Sequence, residues 1–249
     1  MKNRAKLVIN GQSVPLGAAT DIHLPVSETY LGFLVSVPIH VIRAKKPGPT
    51  IFATAAIHGD ELTGVGIIRE LMINPPKLKR GTLICVPVAN ISGFENHSRY
   101  LPDRRDLNRS FPGNKSGNLA LRLANVIYKE IVEKSDFGVD LHSAATRRTN
   151  FPHVRANLKD EQLKEFAFAF GCEVVVHSPG VSGTLRDAAT AGGCKTILYE
   201  AGEALKCEQT PVSIGVRGIH NLLKYLDMEE GDQEMPVYQT SVYQTKWIR

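Results

Sequence analysis

The sequence predicts an α/β protein with a largely parallel sheet. Three observations predict it. Strand-like and helix-like segments alternate through most of the 249 residues. Several strands are short, unbroken apolar runs such as IFATAAI (51–57), as expected of strands covered on both faces. The segments between them repeat apolar residues at helical spacing.

Taken in order, residues 1–45 are β-rich: LVINGQSV carries an Asn-Gly turn signal, and LVSVPIHVIRA alternates. After IFATAAI, the positions Leu62, Val65, Ile68, Leu71 and Met72 predict a helix that ends at Asn74-Pro75-Pro76. TLICVPVAN (82–90) reads as a buried strand, and 91–117 as a long polar loop punctuated by Gly and Pro. An amphipathic helix follows over 118–133, with Asn118 as its N-cap. FGVDLH (137–142), CEVVVH and CKTILYE (194–200) read as strands. LKDEQLKEFAFAF, TLRDAATAG and PVSIGVRGIHNLLKYL read as helices.

Composition excludes some classes. No run of 18 apolar residues exists, and the N-terminus lacks the apolar stretch of a secretory signal, so a cytoplasmic protein is expected. The net charge of +5 comes from scattered Lys and Arg, with one concentration, SRYLPDRRDLNRSFPG (98–113), where Asp103 and Asp106 interleave with the arginines. Mixed signs suit a small carboxylate better than a phosphate track. Without an aromatic–basic stripe, neither nucleic acid nor a membrane is expected as a partner. The four cysteines form no CxxC pair, and reduced thiols are expected, with Cys85 and Cys194 in the core.

The polar residues that follow apolar strands carry the chemistry. In sheets of this class, ligands bind at the carboxyl ends of the strands. His58, Asn90, His142 and Glu200 each stand at such an end. In HGDE (58–61), His58 and Glu61 are spaced to reach one metal ion where a strand turns into a helix, with Gly59 easing a tight turn. DLH (140–142) adds His142. Two histidines and a carboxylate are the ligand set of several hydrolytic zinc enzymes. Each piece alone also fits a surface pair or a satisfied core histidine. Glu200, in LYEAG, is a strand-end carboxylate that would be costly unpaired. It fits a salt bridge, or a general base that takes a proton from a zinc-activated water and returns it to a leaving nitrogen. Arginines of the 98–113 loop can fork onto a carboxylate or stabilise an oxyanion. Asp106 or Asp140 can fix the tautomer of a ligating histidine.

With these pieces in place, the sequence resembles the succinylglutamate desuccinylase/aspartoacylase family, within the zinc carboxypeptidase superfamily. HGDE (58–61), RDLNRSFPG (105–113), DLH (140–142) and YEAG (199–202) carry the resemblance, in the family's order. It implies a mixed, mostly parallel eight-stranded sheet flanked by helices. It implies one zinc ion per chain on His58, Glu61 and His142, and Glu200 as general base and then acid. Arg99 would polarise the scissile carbonyl, and Asn108 and Arg109 would hold a substrate carboxylate. The implied activity is hydrolysis of the amide of a small N-acyl amino acid or N-acyl amine. A metallocarboxypeptidase acting on peptides and a non-catalytic small-molecule-binding relative are the other two readings. The expected organisation is a β-rich N-terminal segment (1–45) packed on a zinc hydrolase domain (46–230). Residues 231–249 would then begin a truncated C-terminal β domain. The sequence assigns no oligomeric state.

Overall fold

A computed structural model of the chain describes residues 6–28 and 31–245. The N-terminal turn signal forms a small hairpin of β1 (Leu7–Ile9) and β2 (Gln12–Val14). The main sheet holds β3 (Ala19–Glu28), β4 (Leu34–Arg43), β5 (Thr50–Ala55), β6 (Thr82–Val86), β7 (Phe137–Ala144), β8 (Asn150–Ala156), β9 (Val174–His177), β10 (Lys195–Glu203) and β11 (Thr240–Val242). Their spatial order is β11-β9-β8-β10-β7-β5-β6-β4-β3, nine strands among the described residues where eight were expected. Five of the eight pairings are parallel, and β3–β4, β4–β6 and β8–β10 are antiparallel. The sheet is therefore mixed and mostly parallel.

Helices cover both faces. On one lie α1 (Thr63–Ile73), α4 (Glu161–Ala169) and α6 (Gln209–Tyr225), packing Ile67, Phe166, Ile219 and Leu222 onto Ile51, Val139 and Ile197. On the other lie α3 (Leu119–Glu130), α5 (Leu185–Ala191) and the hairpin, packing Leu123, Ile127, Leu185 and Ile9 onto Phe52, Ile84 and Val86. Each large side chain so buried contributes roughly 1.5–3 kcal/mol, and these two cores fix the central strands that carry the site. Cys85, Cys172 and Cys194 are buried and Cys207 is exposed, all four as free thiols.

The sequence signals place most boundaries well. Asn118 caps α3 by accepting the Leu121 amide at 3.1 Å, as expected. Two details differ. The segment 91–117 is not all loop: Ile91–Glu95 forms α2, started by Asn90, whose side chain accepts the Gly93 amide at 2.9 Å. Met72 is exposed, and Ile67 takes its place on the buried face of α1. Among the described residues no helix is long and apolar enough to cross a membrane.

Candidate metal centre and active site

Strands β10, β7, β5 and β6 are parallel neighbours, so their carboxyl ends share one edge. His58 leaves β5 there, His142 lies near the end of β7, and Glu200 pairs in register with His142 from β10. Glu200 is not terminal, since β10 continues to Glu203. Asn90 follows β6 and is a structural residue: besides capping α2, its amide nitrogen lies 3.5 Å from the Arg99 carbonyl, tethering the arginine loop.

Gly59 is required for a reason other than the expected turn. A Cβ there would stand 2.0 Å from the Gly93 carbonyl carbon and 2.2 Å from the Phe94 nitrogen. The positive φ in this connection belongs to Ala56, at 48°. The metal-site turn is thus clamped directly against α2. Gly59→Ala is expected to destabilise the protein by about 2 kcal/mol or more, as overpacking against rigid backbone does, and to loosen metal binding. Thermal melts and elemental analysis of the variant check this; a wild-type melt with full metal content would refute the clamp.

His58, Glu61 and His142 are buried, and one donor atom from each lies within 4.8 Å of the others. Both rings turn Nδ1 toward Glu61. His58 Nδ1 lies 2.6 Å from Glu61 Oε1, and His142 Nδ1 lies 2.8 Å from Glu61 Oε2. Each Nε2 turns outward to another carboxylate: His58 to Asp106 at 3.2 Å, and His142 to Asp140 at 2.8 Å. Both nitrogens of each ring thus face carboxylates, which favours the protonated rings; with an Nε2–H given to Asp106 or Asp140, each Nδ1 would be free to offer a lone pair to an ion beside Glu61. Arg99 NH1 also stands here, 3.2 Å from His58 Nδ1, so the acceptors converge on positive charge. That donor chemistry fits a divalent cation held by two nitrogens and a carboxylate.

The surrounding groups fix the triad. Glu61 Oε2 also accepts the Ser143 amide at 3.1 Å, and Asp140 accepts the Thr54 hydroxyl at 2.8 Å. Burial pushes the Glu61 carboxyl up, but His142 and His58 outweigh it and hold it well below the usual carboxylate range. Burial pulls both rings down, yet their carboxylate neighbours leave His58 raised and His142 raised further. Asp106 is held low against burial by His58 and Arg99. Glu200 differs: burial dominates and raises it, Glu61 adds to that, and His142 and Arg155 only partly offset it.

The arginine loop is built around two apolar anchors, Leu107 and Phe111, buried in the core below α3 and α5. Between them Asp106 caps a single 3-10 turn (Leu107–Arg109) by accepting the Asn108 amide at 2.8 Å. Asp106 also receives Arg99 NH2 at 3.0 Å, while Arg99 NH1 lies 3.4 Å from Glu61 Oε1. Arg99 is therefore brought to the triad. Asn108 is buried beside it, with Nδ2 at 3.5 Å from His142 Nε2 and Oδ1 accepting the Leu185 amide at 2.9 Å. Arg109 is exposed, and its NH1 donates to the Asn108 carbonyl at 2.6 Å; it is not drawn onto the triad. Two residues near Glu200 escaped the sequence reading. Asn150 Nδ2 lies 2.6 Å from Glu200 Oε2, and Arg155 NH1 lies 3.7 Å from Oε1.

The family model of the succinylglutamate desuccinylase/aspartoacylase catalytic domain matches residues 47–226. The N-alpha-acetyl-L-2,4-diaminobutyric acid deacetylase of Halomonas elongata is 27% identical over 228 residues, 86% of this chain and 66% of that protein. The chain thus spans slightly under two thirds of that relative's length. A succinylglutamate desuccinylase/aspartoacylase structure from Rhodobacter sphaeroides is 29% identical with a TM-score of 0.77, covering 88% of this chain and 68% of that one. The product-bound ectoine utilization protein EutE (DoeB) of Ruegeria pomeroyi is 25% identical with a TM-score of 0.80, covering 92% and 73%. A match over most of the chain, with the triad inside it, shows that this protein belongs to the succinylglutamate desuccinylase/aspartoacylase family.

Proposed function

We propose that this protein is a zinc-dependent deacylase that hydrolyses the amide bond of a small N-acyl amino acid or N-acyl amine. The observation that carries the proposal is the convergence of His58 Nδ1, His142 Nδ1 and Glu61 within one buried cluster. Zinc bound there would supply a Lewis acid that acidifies water and polarises a carbonyl. His58, Glu61 and His142 would hold the ion, with Asp106 and Asp140 keeping the two rings in the tautomer that presents Nδ1.

The rest of the chemistry falls to the chain itself. Glu200, half-buried and raised by desolvation, accepts the proton of the attacking water and delivers it to the leaving nitrogen. A base raised toward neutral pH is matched to that two-way transfer. Arg99, partly exposed and anchored by Asp106, faces the carbonyl oxygen as negative charge develops on it. Asn108 and Arg109 take the substrate carboxylate, the exposed guanidinium of Arg109 swinging from its own loop onto the ligand. The Halomonas relative is a deacetylase of an N-acetylated diamino acid, which makes N-acetyl amino acids the first substrates to try.

The test is release of free amine and carboxylate from a panel of N-acyl amino acids by the zinc-loaded protein. Turnover that stops on chelation and returns with zinc supports the proposal. A zinc-loaded protein that binds the panel without cleaving it shows a non-catalytic binder instead. Within the panel, Arg109→Ala is expected to raise KM about 10–100-fold for substrates bearing a carboxylate on the amino-acid part, the worth of one charge-assisted contact. An equal loss on amides lacking that carboxylate would remove Arg109 from the clamp.

A further inference from the structure

We infer that Asn150 and Arg155, both on β8, are positioning residues for Glu200, fixing the orientation of its carboxylate. The inference rests on the proposed role of Glu200 as the proton-transfer group. β8 runs antiparallel to β10, and Glu200 pairs with His153, but Gly202 pairs with Asn150. Between these pairs one residue of β10, Ala201, faces two of β8, Phe151 and Pro152, which is a β-bulge. Side chains alternate along a strand, so in an unbroken ladder Phe151 would stand opposite Gly202 and Asn150 would point to the other face. The extra residue brings Asn150 round to the side of Glu200.

The consequence is one hydrogen-bond donor and one guanidinium from the same strand, each beside a different oxygen of one carboxylate. Asn150 Nδ2 donates to Oε2 at 2.6 Å, and Arg155 NH1 stands 3.7 Å from Oε1. Arg155 is opposite Leu198, two residues from Glu200 and so on the same face. Gly202, at φ 75°, presents no side chain across from Asn150. His153, directly opposite Glu200, is engaged elsewhere, its Nδ1 lying 2.8 Å from the Phe151 carbonyl. The arrangement also has a cost: the Arg155 Nε is buried without a hydrogen-bond partner. A guanidinium held at such a cost against one carboxylate suits a device for orientation better than one for stability. A proton-transfer group must meet its water at hydrogen-bond distance, and small misplacements lower rates steeply.

The experiment is a mutant cycle on the zinc-loaded enzyme with an N-acetyl amino acid as substrate. Asn150→Ala is expected to lower kcat about a hundredfold, with KM and zinc content within about twofold of wild type. Arg155→Met is expected to lower kcat about tenfold, and Arg155→Lys to restore most of it, because a single ion contact needs charge rather than a fork. In a Glu200→Ala background neither change should lower the residual rate further. Undiminished losses in that background, or losses confined to KM or zinc content, would overturn the inference. A readout independent of turnover separates its failure from that of the proposed activity. In 15N-labelled protein the Asn150 side-chain amide is expected to resonate downfield and to lose that shift in Glu200→Ala. An Asn150 amide indifferent to Glu200→Ala would refute the contact even in an active enzyme, and a responsive one in a protein that cleaves nothing would uphold it.

Discussion

Glu200→Gln is expected to lower kcat by about a thousandfold, the usual worth of a positioned general base, while zinc content stays at the wild-type level. The substitution is nearly isosteric. The amide oxygen of Gln can still accept from Asn150, so the strand register and the bulge need not change. Neither Oε1 nor Oε2 of Glu200 touches the triad through a hydrogen bond; those oxygens face Asn150 and Arg155. What is lost is the ability to take and return a proton. Steady-state kinetics and elemental analysis on the same preparation separate the two properties. A variant within about tenfold of wild type would remove Glu200 from the proton pathway, and a variant that lost zinc would show that Glu200 supports the metal.

Much of this site is legible in the sequence because burial makes polar residues conspicuous. His142 and Glu200 interrupt or end apolar runs that only a buried strand explains, and an unpaired polar group there is costly. HGDE and RDLNRSFPG are similarly readable because each couples a functional side chain to an apolar or steric anchor: Gly59 against Gly93 and Phe94, and Leu107 and Phe111 in the core. What escaped is equally physical. β8 reads NFPHVRA, with Pro152, His153 and Arg155 breaking the apolar alternation. A strand whose stabilisation comes from its two neighbours, β9 and β10, needs little apolar signal of its own. Since β8 was invisible, so were Asn150 and Arg155. The bulge is a property of pairing between segments about 50 residues apart and has no local signature. α2 is too short, at five residues, for periodicity to reveal it. β3 lies at the sheet edge, where Pro25 is tolerated because one side of an edge strand needs no ladder bonds.

His142→Ala is expected to abolish zinc binding and to remove the stabilisation that zinc confers. The ring is the link between two buried carboxylates, touching Glu61 through Nδ1 and Asp140 through Nε2, each at 2.8 Å. Removing it deletes one of three proposed ligands and strips each buried acid of its His142 contact, leaving Asp140 with the Thr54 hydroxyl and Glu61 with His58, Arg99 and the Ser143 amide, a loss of up to about 3–5 kcal/mol by itself. In the wild type, zinc at roughly a thousand times its dissociation constant should add about 4 kcal/mol. For a chain of this size that raises Tm by about 8–16 °C. The variant should melt lower and show no response to added zinc, and its metal content after washing should fall from about one per chain to near zero. Because the variant is destabilised whatever the role of the ring, the zinc-dependent part of the melt is the decisive quantity. A wild type whose melt ignores zinc and whose washed protein carries none would refute the metal site, whereas a His142→Ala protein that kept both would place the ion on other residues. Asp140→Asn offers an independent check on the same assembly. It keeps the shape around the ring but weakens the hydrogen bond that fixes its tautomer, so zinc affinity should fall about 10–100-fold with a far smaller change in the zinc-free melt.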